Sequence, residues 1–424
     1  MKKKLLKYVL AFLIFNCIMI CISSFAYIIP REKTMESVEE AYDQYLQTGL
    51  YVDDYDGYTD ALMLSTTIVS PIQSNEKGLG IIGFALSNNV SREGIMEYDP
   101  LNGLEKLIAH DDRYASYSNY FVISTVIYRI LLSVFSLDTV RFFLQMITLY
   151  GIAIVSVTLY RFQGSIKAIV PFMTMVITGN LISMSGCLTY AVDIIIMLSA
   201  IIVALYYENN YKKTDWMLFF GLLGMISFSM NYWSFPLLTL MGPLLSLYMV
   251  WSAKQTAIKQ ITVKIIQCLL AWIVGFGSEV LFRIGTGILI SDNNTAFDHL
   301  KSYTTNDSVF DVGLSRLQRL GVCWNDFFSM RVRAVIVLSL IVLIPGLIKG
   351  IVRGADKAQM FLRLCLCIAL SMIPLVWLYI LYNHTFHGFD RINICMFTFG
   401  VCTACIVSNV SDNTHNIASG ENAI

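Results

Sequence analysis

Ten apolar runs, separated by polar breaks, recur along the chain at about 5–28, 139–160, 168–187, 189–207, 215–232, 234–252, 265–290, 334–352, 361–382 and 392–409. Many are long enough for a helix to cross a hydrocarbon core roughly 30 Å thick. Runs of this kind are predicted as helices, because backbone groups in lipid find no water and must pair within their own segment. Two longer polar stretches interrupt the series, at 29–138 and about 291–333. Within the first, "TMESVEEAYDQYLQTG" carries a helical pattern ended by Gly49. "NYFVISTVIYRILLSVFS" (119–136) is apolar as well, but a crossing here would leave only two or three residues before the next span. It is predicted instead as an interfacial helix on the outer leaflet, with Arg129 reaching headgroups.

The positive-inside rule orients the spans. Lys2, Lys3, Lys4 and Lys7 place the N-terminus inside. Every second break then carries cations: Arg161 and Lys167; Lys212 and Lys213; Lys254, Lys259 and Lys264; Lys349, Arg353, Lys357 and Arg363. The expected fold is therefore an all-α polytopic membrane protein with about ten transmembrane helices, N-in and C-in. Its parts are a first helix over 1–28, read as a retained signal anchor because its apolar run exceeds a signal-peptide core; an outer loop over 29–138 containing interfacial helices; a helix bundle over 139–409 with a second outer loop at 291–333; and an inner tail over 410–424. Its multi-pass setting is the plasma membrane, with the working face extracytoplasmic.

Composition agrees with this pattern: of 424 residues, 56% are hydrophobic and 14% charged. The zero net charge implies no polyanionic partner, nucleic acid included. The charge is unevenly spread, however. Residues 30–118 hold sixteen Asp and Glu against six Lys and Arg. The ten cysteines lie mostly inside predicted spans, where a thiol acts as a small apolar filler, and only Cys187 and Cys323 approach the outer face.

Four polar clusters could carry chemistry. "YVDDYDGYTDALML" (51–64) contains Asp53, Asp54, Asp56 and Asp60. Thr59 is a fitting N-cap, which puts Asp60 in a first helical turn, where the dipole favours negative charge. A carboxylate there can serve as a general base. "DDYD" fits a solvated loop and, without the regular spacing of a built site, also offers hard-oxygen ligands to a divalent cation; no other cofactor is expected. "LYNHTFHGFDRIN" (381–393) combines His384, His387 and Arg391, which suit helix capping or an anionic headgroup, with Arg391 supplying a planar donor fork; a zinc site would need a further ligand. In "GFGSEVLFRIGTG" (275–287), Glu279 and Arg283 stand one turn apart, as an ion pair or with Arg283 facing a lipid phosphate. "IAHDDRYASYSNYF" (108–121) sets His110 and Arg113 among tyrosines, as an aromatic interfacial belt or a sugar-binding shelf. Asp193 fits a membrane-boundary residue.

This build of one span, a long acidic outer loop with interfacial helices and a polytopic bundle resembles the GT-C type of membrane glycosyltransferase. More narrowly, "GYTDALML", "NYWSFPLLTLMGPLL" (231–245) and "NHTFHGFDR" (383–391) resemble stretches of a group of bacterial membrane proteins of this general form. The chain departs from that pattern at "YSNY" (117–120), where Ser118 stands in place of a histidine. The resemblance implies sugar transfer from a polyprenyl-phosphate donor to a cell-surface glycan or lipid-linked acceptor. An acidic residue of the first outer loop would then act as base: Asp60 first, with Asp54 or Asp53 in its place. A polysaccharide polymerase, a flippase or transporter of lipid-linked glycans, and a membrane scaffold are the alternatives. A transporter would be marked by internal repeats or interrupted half-helices, neither of which the sequence displays.

Overall fold

The computed structural model describes residues 2–52, 55–69, 80–87, 89–91, 99–111, 114–116, 123–211, 214–230, 235–254, 256–291, 315–353, 357–381 and 389–407. Helix α1 (Lys2–Ala26) leads into a segment of short elements: α2 (Glu32–Thr48), strands β1 (Tyr51–Val52) and β2 (Tyr55–Asp56), α3 (Gly57–Ile68), α4 (Gly80–Ser87), β3 (Asn89–Ser91), α5 (Pro100–Ile108), β4 (Tyr114–Ser116) and α6 (Ser124–Leu132). The bundle follows: α7 (Leu137–Gln163), α8 (Val170–Thr178), α9 (Leu181–Met184), α10 (Leu188–Asn210), α11 (Trp216–Met230), α12 (Pro236–Ala253) and α13 (Ile258–Ser291). Then come α14 (Arg316–Phe327), α15 (Met330–Arg353), α16 (Lys357–Ser371), α17 (Ile373–Ile380) and α18 (Phe389–Val407). The all-helical expectation needs one addition, since β1–β2 and β3–β4 form two small antiparallel ladders in the first polar segment.

Among the described residues, seven helices are long and apolar enough to cross a membrane. The other three expected runs form shorter apolar helices, at Ile166–Thr178, Trp216–Met230 and Ile392–Ile406. The run at 168–187 is interrupted for a visible reason: Asn180 adopts the left-handed conformation (φ 47°) and separates α8 from α9. Outward faces carry lipid-compatible side chains, such as Leu10, Leu13 and Phe25 on α1, Ile147 and Ile154 on α7, and Leu338 and Ile341 on α15. At the centre lies α12, buried on all sides from Pro236 to Ser252.

Contacts along the helices fix their relative directions. α10 and α12 run parallel, with Tyr190 against the Phe235 ring at one end and Glu208 paired with Lys254 at the other. α8 and α18 run antiparallel, with Gly179 beside Cys395 and Phe172 beside Phe399. α11 and α13 approach most closely through glycines. A Cβ on Gly275 would lie 2.0 Å from the Gly221 carbonyl oxygen, and one on Gly224 would lie 2.3 Å from that of Trp272.

The first polar segment has its own core, in which Val38, Tyr45, Leu64, Leu104 and Tyr128 meet Leu188 and Ala191 of the bundle. α2 ends at Gly49 (φ 82°), as its sequence predicts. α3 is buried along its length except at Tyr58. Its polar residues Ser65, Thr66 and Thr67 each donate to the carbonyl three residues back, which satisfies them locally.

Within 119–136, helix α6 corrects the expectation for Arg129 alone. Its nine residues rise roughly 13 Å, too short for a crossing. Ile127 and Ile130 face outward, as an interfacial helix requires, whereas Arg129 points inward and is buried. The guanidinium donates to the Ile29 and Val69 carbonyls and stacks over the Tyr27 ring at 5.2 Å. Headgroups are not its partners, because two backbone carbonyls of neighbouring segments need a donor at that point. Burial lowers its pKa, while Tyr27 and Glu32 oppose the shift. Arg129→Met keeps the stem volume but strands both carbonyls. We expect the melting midpoint of the detergent-purified protein to fall by an amount matching about 3 kcal/mol, and an unchanged midpoint would refute this role.

Candidate functional site

The strongest polar constellation lies where α3 meets the first turns of α7 and α10. Gly57 opens α3 two residues before the expected Thr59 cap, and its amide donates to the Leu50 carbonyl at 2.7 Å. A Cβ at Gly57 would sit 2.5 Å from that same oxygen, so only glycine fits this entry. Asp60 stands in the first turn as anticipated and is fully buried.

The Asp60 carboxylate serves the start of a different helix. Its Oδ1 accepts from the Cys187 thiol at 3.0 Å and from the Thr189 amide and hydroxyl at 3.2 and 3.5 Å. Cys187 is the N-cap residue of α10 and forms no side-chain cap of its own. A carboxylate from α3 thus supplies the acceptor and the negative charge that the α10 N-terminus favours. Its Oδ2 faces Arg141 Nη2 of α7 at 3.7 Å. Arg141 in turn donates to Tyr45 Oη at 3.0 Å and Gln44 Oε1 at 3.4 Å on α2, and lies 3.5 Å from Asp138.

One turn along α10, Asp193 repeats the arrangement: buried, its Oδ2 accepts the Phe235 amide at the start of α12 at 3.3 Å. It serves as an internal cap of α12. Between the two carboxylates, Tyr128 of α6 donates its hydroxyl to the Leu188 carbonyl. Burial raises the Tyr128 pKa well above its usual value, and the charge of Asp60 raises it further.

The other expected site residues are distributed as follows. His110 is exposed just after α5, in the left-handed region (φ 61°), with its Nδ1 against Arg31 Nη2. Arg283 is fully buried and donates to the Leu86 carbonyl of α4 at 3.0 Å, while Glu279 accepts from Asn16 of α1 at 2.9 Å. The two charges therefore fasten α13 to α4 and α1. Arg391 lies in the first turn of α18, but its side chain is outside the described residues, as are Asp53, Asp54, Arg113, His384 and His387. Among the described residues no group of three His, Cys, Asp or Glu could hold a metal ion. Cys187 and Cys323, expected near the outer face, are both buried.

Sequence reasoning missed Arg141, Cys187 and Thr189 as partners of Asp60, and Tyr128 as its buried neighbour. One signal was available: Arg141 sits at the end of its span opposite the basic breaks, where the positive-inside rule leaves cations scarce. The arrangement can hold a carboxylate in a fixed orientation at the seam between the first polar segment and the bundle. Comparison with known proteins finds no matching family model, no similar curated protein and no similar solved structure.

Proposed function

We propose that this chain is a multi-pass plasma-membrane glycosyltransferase. It moves a sugar from a polyprenyl-phosphate donor to a cell-surface glycan or lipid-linked acceptor at the extracytoplasmic face. The ten apolar runs cross in an N-in, C-in arrangement, with α8 and α9 together making one interrupted crossing. The observation that carries the reading is Asp60, a buried carboxylate held against Arg141 where a folded, acidic outer segment meets the bundle. In the reaction a first-segment carboxylate accepts the acceptor hydroxyl's proton as the new glycosidic bond forms, and the lipid phosphate leaves with the electrons of the broken bond. Asp60 fills that role or orients the loop bearing Asp53 and Asp54.

The test replaces Asp53, Asp54 and Asp60 by Asn, singly and together, and compares surface-glycan composition at equal protein level. The expected result is loss of one sugar component in the triple variant. An unaltered glycan there would sink the catalytic reading.

A second reading, transport or flipping of a lipid-linked glycan, draws on the break at Asn180, since interrupted helices mark many transporter sites. Counterflow of labelled lipid-linked glycan in proteoliposomes separates the two readings: a flippase gives it without any glycan transfer.

A further inference from the structure

Helix α7 carries a polar stripe inside an otherwise apolar span. Arg141, Gln145 and Thr148 recur at i, i+4 and i+7, which sets them one above another on a single face. Gly151, a turn further on, packs against Leu198, so this face is turned towards α10. Phe142, Phe143 and Ile147 beside the stripe are exposed, as lipid-facing residues are. Arg141 meets Asp60 at the top of the stripe. Gln145 lies against the α9–α10 turn, where a Cβ on Gly186 would stand 2.8 Å from its Nε2. The next residue, Cys187, is the one whose thiol donates to Asp60. Arg141 and Gln145 thus both reach the Cys187–Asp60 contact, one through Asp60 and the other through the residue before Cys187. Neither lower member of the stripe is satisfied by the protein. Gln145 is partly exposed, and its amide makes no hydrogen bond among the described residues. The Thr148 hydroxyl is fully buried and has no partner among them either.

By helical rise Gln145 stands roughly 12 Å below the start of α7 at Leu137. At that depth in the outer leaflet water is scarce, and a lone amide costs free energy unless something supplies its donors and acceptors. A hydrocarbon chain offers neither, so the fitting occupant is a polar headgroup carried on an amphiphile. Its chemistry follows from the charges nearby. Arg141 already faces two carboxylates, Asp60 at 3.7 Å and Asp138 at 3.5 Å, which leaves it no charge to spare for a phosphate. An amide donates and accepts at once, which matches hydroxyl groups. We propose that Gln145, with Thr148 beneath it, binds the hydroxyls of a sugar carried on an outer-leaflet lipid and holds that sugar beside Asp60. The lipid chain runs along the exposed Phe142 and Ile147 side of α7. The inference rests on the proposed function for the outer placement and for the headgroup being a sugar, and it adds the residue that reads that sugar.

The full chain is purified in detergent and offered polyprenyl phosphates carrying glucose, galactose, mannose or N-acetylglucosamine, each in competition with bare polyprenyl phosphate. Retained lipid is counted by native mass spectrometry. Wild type should retain at least one sugar-bearing form over the bare lipid, and Gln145→Leu should lose roughly tenfold of that preference. Thr148→Val should lose a smaller part. Neither change breaks a hydrogen bond within the protein, so both variants should keep or exceed the wild-type melting midpoint. Full preference in Gln145→Leu overturns the inference, and so does a lowered midpoint, which would make the amide structural. A wild type that holds every sugar-bearing form no better than the bare lipid overturns it as well. The proposed function fails separately. If the Asp53, Asp54 and Asp60 triple variant leaves the surface glycan unaltered while Gln145→Leu loses the sugar-bearing lipid, transfer is refuted and this binding site stands. Glycan lost in the triple variant but complete in Gln145→Leu overturns this inference alone.

Discussion

Gly275→Ala should unfold or dissociate the α11–α13 pair, with a melting-midpoint loss corresponding to about 3 kcal/mol or more. The added methyl would lie 2.0 Å from the Gly221 carbonyl oxygen, and the obstacle is backbone, which no rotamer change can move aside. The helices would have to separate, and in lipid the close van der Waals packing they would lose is what holds apolar helices together. Gly224→Ala, with 2.3 Å to the Trp272 carbonyl oxygen, should behave alike. Gly277→Ala is the internal control, since nothing lies within 4 Å of its would-be Cβ. It should be neutral, or stabilising by up to about 1 kcal/mol through helix propensity. Thermal denaturation of the detergent-purified variants decides the matter. Equal midpoints for Gly275→Ala and Gly277→Ala would refute the close approach.

Asp60→Ala should cost about 3 kcal/mol, because several groups lose one partner at once. The Cys187 thiol and the Thr189 amide lose their acceptor, the α10 N-terminus loses its counter-charge, and Arg141 loses one of two facing carboxylates. Arg141→Gln should cost less, since Asp60 keeps its donors on α10 and Arg141 is 18% exposed. If the two side chains interact as drawn, the Asp60→Asn/Arg141→Gln double variant will be more stable than the summed effects of Asp60→Asn and Arg141→Gln predict, by about 1 kcal/mol. Strict additivity would remove the ion pair from the account. The same variants sharpen the functional test. Asp60→Asn that keeps its melting midpoint yet loses the glycan marks a chemical role, whereas parallel loss of both marks a structural one.

Much of this architecture is legible in the chain itself. Apolar runs long enough to cross a bilayer can be little else but helices, so the bundle helices α7, α10, α12, α13 and α15 fall close to where the hydropathy pattern puts them. Glycine's tolerance of left-handed backbone ends α2 at Gly49, and a carboxylate's preference for a first turn places Asp60 early in α3. These are local effects, set by a few neighbouring residues, and sequence records them directly. What sequence does not record is partnership across distance. Arg129 is an interfacial cation by composition, yet it turns inward because the Ile29 and Val69 carbonyls, far away along the chain, need a donor. Glu279 and Arg283 act on each other as their spacing suggests, but each also hydrogen-bonds outside its helix, to α1 and α4. Asp60 stands at the start of its own helix and caps another one 127 residues later, through Cys187. Read alone, the chain specifies a polytopic helical protein with an acidic segment and a carboxylate at a helix start. What that carboxylate touches follows from packing, because a buried charge takes whichever donors the fold brings within reach.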